Sequence, residues 1–144
     1  MLHDIGRLTL PDSLLSNSGA LSEAEWTLIR SHPKSAYDML TGAFEPEVTK
    51  IVLTHHEHLD GSGYPNGLSG DDIPVAARIV LVADAYDAMT SYRLYRGAMS
   101  VDTALNELQA EAGAQLDADV VEAFISMTRA EPSNVAELPV RRAG

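Results

Sequence analysis

His55-His56-Glu57-His58-Leu59-Asp60-Gly61-Ser62-Gly63-Tyr64-Pro65 is the stretch on which the reading of this chain turns. Ahead of it, Val48, Ile51, Val52 and His55 recur at helical spacing from Pro46 onward, so His55 continues an apolar face that points to a core. Behind it, the segment from Asp60 to Gly70 holds four glycines, one proline and one asparagine, which reads as an ordered loop. The histidine pair therefore stands where a helix gives way to a loop. Adjacent side chains on a regular helix diverge by about 100°, so both rings can serve one centre only at such an ending.

The remaining histidines fit around this pair. His3 directly precedes Asp4, and His32 stands before Pro33, whose missing amide proton breaks or kinks a helix there. At such a bend a side chain can point inward. The chain has five histidines and no cysteine, which excludes a thiolate site and a disulfide framework. Imidazole with carboxylate suits divalent Fe, Mn, Ni or Zn, and a nitrogen-and-oxygen metal centre is the first expectation. Asp4 is the candidate bridge, because a carboxylate can span two ions through its two oxygens whereas a neutral imidazole binds one.

Composition sets the outer bounds. A chain of 144 residues with 45% hydrophobic content can bury one sizeable core, and a single soluble domain is expected. It holds no apolar run long enough to span a membrane and no basic stretch leading into an apolar one, so a cytoplasmic location is expected. A net charge of -11 repels nucleic acid polymers and anionic lipid, so neither is an expected partner. An anionic small substrate would need a local patch of metal ions and arginines.

Helical signals dominate elsewhere. Ser22-Glu23-Ala24-Glu25 is a capping box with Leu21 and Trp26 at the staple positions, so a helix begins at Glu23. After the break near His32 it resumes through Tyr37, Met39 and Leu40 and stops at Gly42. A long helix is predicted from Val75 to Gly97, with Ile79, Val82, Ala83, Tyr86 and Met89 buried and Asp84 and Asp87 projecting nearly together. Ser100 caps a helix carrying Leu105, Leu108 and Ala112, and Asp117 caps another carrying Val120, Val121, Phe124 and Met127. Only Leu8-Thr9-Leu10 and the Tyr64 loop offer a short extended pair, so the expected fold is an all-α bundle.

These residues carry a family resemblance. Leu2-His3-Asp4-Ile5-Gly6-Arg7 resembles the HDIGK signature of the HD-domain phosphohydrolases, and residues 55–65 resemble the HHExxDGxGYP signature of their HD-GYP subfamily. Ala83-Asp84-Ala85-Tyr86-Asp87-Ala88-Met89-Thr90-Ser91 and Tyr92-Arg93-Leu94-Tyr95-Arg96 are similar to that subfamily's ADxxDAxTS and xRPYR segments. The matches run in order over residues 2 to 127, and together they are specific where a lone His-Asp pair is not. The implied fold is an HD-domain helical bundle with an ordered GYP loop over residues 1–131, followed by a C-terminal tail at 132–144.

The resemblance also implies a chemistry. His3, Asp4 and Asp84 would serve one divalent ion and Asp4, His32, His55 and His56 its neighbour, with Fe or Mn favoured over Ni or Zn. Two ions about 3.5 to 4 Å apart share a hydroxide that attacks phosphorus. The substrate would be cyclic di-GMP, opened to linear pGpG and in some members cut on to GMP. Asp4 and Arg7 would act at the reacting centre; Tyr64, Arg93 and Arg96 would bind substrate; Asp60 and Asp87 would support ligands from behind. His58 fills a variable slot and is expected at the surface.

Three differences from the pattern stand out. Arg7 replaces lysine and Leu94 replaces proline, and the helices that precede the His-Asp pair in HD domains are absent from this sequence. The last point leaves one ion site short of a ligand and exposes apolar surface, so a homodimer is expected, as is an upstream sensor or receiver domain in a longer parent. The rival expectation is a degenerate HD-GYP module that binds nucleotide or a partner protein without turnover.

Overall fold

A computed structural model describes residues 2–17, 19–92 and 97–130. Among them the chain is all-α, as expected. A 3-10 helix over Leu2–Thr9 leads into α1 (Asp12–Leu15), α2 (Glu23–Arg30), α3 (His32–Leu40), α4 (Pro46–Thr54), α5 (Val75–Thr90), α6 (Val101–Glu111) and α7 (Ala118–Ala130). Leu8 and Thr9 lie in the 3-10 helix, so the short extended pair does not form. The only strand-like pairs among the described residues are isolated bridges, Thr41 to Phe44 and Ala112 to Leu116, each closing a turn.

Local capping chemistry sets most boundaries. Ser22 and Glu25 form the expected reciprocal box at the start of α2, and Ser100 accepts from the Thr103 amide at the start of α6. Asp117 Oδ1 accepts from the Asp119 and Val120 amides and so caps α7. Pro33 sits in the first turn of α3, where its missing N–H costs nothing, and the break falls at Ser31. Helix α5 is shorter than predicted: it ends at Thr90, and Ser91 turns extended at ψ 137° while its hydroxyl bonds the Asp87 carboxylate.

Two apolar clusters hold the molecule together. Val82, Leu105, Leu108, Leu116, Val121 and Ile125 join α5, α6 and α7, with the Tyr86 and Phe124 rings edge to face at 5.0 Å. Ala36, Leu40 and Val52 join α3 to α4, with Ile5 of the 3-10 helix packed on them. Burying one Leu or Val side chain is worth about 1.5–3 kcal/mol, so the first cluster is the larger anchor. The predicted stripes overreach at their edges: Ile79 is 50% exposed and Met127 68%, because each faces away from the shared three-helix seam.

Gly6 fixes how the His-Asp segment sits. A Cβ there would overlap the His32 carbonyl oxygen and lie 2.7 Å from the Ala36 amide nitrogen, so the 3-10 helix meets α3 backbone to backbone. A Gly6→Ala variant is therefore expected to lose about 3 kcal/mol by overpacking. Thermal melting checks this, and an unchanged midpoint would contradict the close approach.

Arg78 ties the other half together. Its guanidinium donates to the carbonyls of Ile73 and Gly70 and to Asp117 Oδ2 at 2.9 Å, linking the end of the glycine-rich loop to α5 and to the cap of α7. The two halves meet where α5 passes α4 and where Asp84 of α5 approaches His3 of the 3-10 helix.

Candidate metal centre

The His55-His56 pair falls at the end of α4, where His55 is the C-terminal cap. The backbone leaves the helix there, and the two rings come within 4.1 Å of each other between centroids. His32, the first residue of α3, brings its ring to 5.5 Å from His55 and 5.1 Å from His56. One nitrogen from each of the three rings and one oxygen of Asp4 all lie within 4.8 Å of one another.

Asp4 faces both ways. Its Oδ1 lies 3.3 Å from His32 Nε2, while its Oδ2 lies 3.8 Å from His3 Nε2, which is in turn 3.8 Å from Asp84 Oδ1 on α5. His3, Asp4 and Asp84 thereby form a second group of donors within the same 4.8 Å limit. One carboxylate is shared between the two groups.

The donor set fits divalent cations. His32 Nδ1 is 2.7 Å from the Ile29 carbonyl, and His55 Nδ1 is 2.7 Å from the Val52 carbonyl. A carbonyl only accepts, so each Nδ1 carries a proton and each Nε2 is the nitrogen left to serve a ligand. The Nε2 atoms of His32, His55 and His56 are buried and without a hydrogen-bond partner. An orphaned buried acceptor is costly, and three converging on one carboxylate are explained by a cation between them. At His32, Nε2 stands 3.3 Å from Asp4 Oδ1, an approach that a shared proton or a cation makes attractive.

Electrostatics keep the donors in their ligating forms. Burial lowers the pKa of His55 to about 4, and burial with the neighbouring His55 and His32 lowers that of His56 to about 2. Burial raises the Asp4 pKa, but His32 and Arg7 outweigh it and hold the carboxyl well below the usual carboxylate range. These shifts set a sign for acid stability. Below the ordinary histidine value of 6.5 the unfolded chain takes up protons that folded His55 and His56 refuse, so stability is complete above that value and falls as pH drops toward 4 and then 2. The metal-free protein should lose at most about 1.4 kcal/mol per histidine for each pH unit in that window, read as melting temperature between about pH 8 and pH 5. A flat profile would contradict the burial of neutral rings.

The glycine-rich loop folds back over the pair. Tyr64 N–H donates to the His56 carbonyl at 3.1 Å, Leu59 N–H to the Gln115 carbonyl at 2.9 Å and Gly70 N–H to the Leu59 carbonyl at 2.9 Å, so the loop is ordered as expected. A Cβ on Gly63 would meet Glu57 Cα at 2.6 Å, and only glycine allows this return. The Tyr64 ring then stacks on His56 with centroids 4.8 Å apart and planes at 26°. Burial raises the Tyr64 pKa to about 12, so it stays a neutral hydroxyl.

Sequence reasoning assigned no role to Glu57. It is 1% exposed, and its two carboxylate oxygens accept from the Asn66 amide at 2.7 Å and the Leu68 amide at 2.9 Å. Both partners are backbone groups far along the loop, which composition does not reveal.

Other expected site residues lie elsewhere. Asp60 is exposed and accepts from the Ser62 amide at 2.9 Å, a local turn in place of contact with a ligand histidine. Asp87 is exposed too and accepts from the Ser91 hydroxyl at 3.1 Å. His58 is half-buried, and its Nδ1 pairs with the Ser62 hydroxyl at 2.9 Å within the loop. Arg7 Nε donates to Asp4 Oδ1 at 2.7 Å. Arg93 and Arg96 lie outside the described residues.

The HD domain family model matches residues 1–120. The chain belongs to the HD domain family. It is 44% identical over 127 residues to the cyclic di-GMP phosphodiesterase response regulator RpfG of Xanthomonas campestris pv. campestris, covering 86% of this chain and 34% of that protein. It is 38% identical over 127 residues to a 3'3'-cGAMP-specific phosphodiesterase 2 of Vibrio cholerae, covering 86% of this chain and 24% of that one. The chain thus spans about a third or less of these relatives' lengths. The solved structure of Bd1817, an HDGYP protein of Bdellovibrio bacteriovorus, superposes with a TM-score of 0.68 at 22% identity over 88% of this chain and 40% of the other, which shows the fold. No helix among the described residues is long and apolar enough to cross a membrane.

Proposed function

We propose that this chain is a metal-dependent phosphodiesterase domain that opens cyclic di-GMP to linear pGpG. The observation that carries the reading is the Asp4 carboxylate, shared between three buried histidines on one side and His3 with Asp84 on the other. Asp4, His32, His55 and His56 would hold one cation and His3, Asp4 and Asp84 a second, with Fe or Mn favoured. Bound there, such cations would supply Lewis acidity toward a phosphoryl group and lower the pKa of water.

The protein's own groups divide the remaining work. The Nδ1 bonds to Ile29 and Val52 fix the His32 and His55 rings before any ligand arrives. Tyr64 covers His56 and presents a neutral hydroxyl to a phosphate oxygen. Arg7, hydrogen-bonded to Asp4, stands where negative charge would gather. Arg93 and Arg96 are carried as substrate-binding residues from the family pattern alone.

Residues 1–131 would form the catalytic domain and 132–144 a tail. A cytoplasmic location suits a second messenger, and exposed Leu2, Leu8 and Leu15 are surface that a homodimer would cover. Several relatives are named for cyclic di-GMP, RpfG and the Vibrio cholerae and Thermotoga maritima phosphodiesterases among them, which supports the substrate. Incubation of cyclic di-GMP with the protein and added Fe or Mn should release pGpG, and a chelator should stop it. Absence of product with every divalent metal tried would overturn the reading and leave the binding module in its place.

A further inference from the structure

Helix α2 places Trp26 and Arg30 one turn apart on the same face. The Arg30 guanidinium carbon lies 5.6 Å from the centroid of the Trp26 ring and 5.9 Å from that of Tyr64. Tyr64 in turn stacks on His56, so this cation stands one aromatic ring away from the donor cluster.

Three other cations of the described residues are engaged by carboxylates. Arg7 is paired with Asp4, Lys34 with Asp38, and Arg78 with Asp71 and Asp117. Arg30 touches two ring faces and, among the described residues, no carboxylate. In a chain of net charge -11, a guanidinium with no carboxylate partner one ring away from the donor cluster offers a local positive charge to an anion. Ring faces attract the flat cation and leave its N–H edges free. The resulting fork matches the paired oxygens of a phosphodiester, and the two rings restrict the exposed side chain before ligand arrives.

A cyclic dinucleotide carries two diesters. With one over the donor cluster, the other needs a countercharge outside it. We propose that Arg30, held between Trp26 and Tyr64, binds the phosphodiester that is not being cut. This rests on the reading of the chain as a cyclic dinucleotide phosphodiesterase.

Steady-state kinetics of the metal-loaded protein test it, with cyclic di-GMP and 3'3'-cGAMP as substrates and wild type, Arg30→Gln and Arg30→Lys compared. Because a charge-assisted bond to phosphate is present before and during reaction, Arg30→Gln should raise KM by about 10- to 100-fold, with kcat within about twofold. Both dinucleotides carry the same diesters, so the factor should be the same for both. Arg30→Lys should restore part of the affinity through charge alone, and metal content and melting temperature should match wild type in both variants.

An unchanged KM in an active enzyme overturns the proposal while leaving the proposed function intact. A rise confined to one dinucleotide also overturns it, because that pattern belongs to base recognition. Loss of bound metal in Arg30→Gln would assign the effect to the centre itself and count against a substrate contact. If wild type cleaves neither dinucleotide, the function fails first and this assignment falls with it.

Discussion

An Asp4→Ala variant is expected to cleave cyclic di-GMP at least about 10³-fold more slowly than the unaltered protein, a loss of about 4 kcal/mol of transition-state stabilisation. The size follows from the position of the carboxylate. Oδ1 lies 3.3 Å from His32 Nε2 and Oδ2 lies 3.8 Å from His3 Nε2, so a single substitution removes a ligand from both donor groups. One group is left with three imidazoles and no carboxylate, the other with His3 and Asp84. Bound metal, measured on protein purified without chelator, should fall from about two ions per chain to one or none. Asp4→Asn separates charge from shape: it keeps the outline, loses the negative charge and should resemble alanine in rate. Equal turnover by Asp4→Ala and wild type would remove the catalytic claim.

The second large effect is expected at a residue that touches no metal donor atom. Glu57 is buried, and its two oxygens accept one amide each from Asn66 and Leu68. Glutamine offers one oxygen and one N–H₂ group, so one loop amide would face another donor in a site closed to water. Leaving a buried donor unsatisfied at a charge-assisted bond costs about 3 kcal/mol, which lowers the melting temperature of a domain this size by about 10 °C. The loop also carries Tyr64 over His56, so KM should rise together with the loss of stability. Glu122→Gln, on an exposed face of α7, is the control and should melt like wild type. A Glu57→Gln protein that melts and binds like wild type would mean the loop is held by its backbone bonds alone.

Much of this was legible in the sequence because it is written locally. The caps at Ser22, Ser100 and Asp117 depend on residues within one helical turn, and each helix begins where its cap predicts. The break at Pro33 and the helix ending at His55 are equally local, and they place three of the histidines. What escaped is non-local. Ile79 and Met127 fit an apolar stripe by spacing, but which arc of a helix is covered depends on where neighbouring helices lie. Asp60 and Asp87 sit in motif positions, yet nearer hydrogen-bond partners, the Ser62 amide and the Ser91 hydroxyl, claim their side chains. Glu57 and Arg30 take their meaning from a loop amide and an aromatic face that only the folded chain brings near.

The three buried, unpartnered Nε2 atoms of His32, His55 and His56 have a further consequence. A globule that hides bare acceptors in its interior is incomplete as a packing problem, and a cation is the piece that completes it. Loading and compaction would then be one linked equilibrium, in which scarcity of the cation would loosen the molecule as well as empty its site.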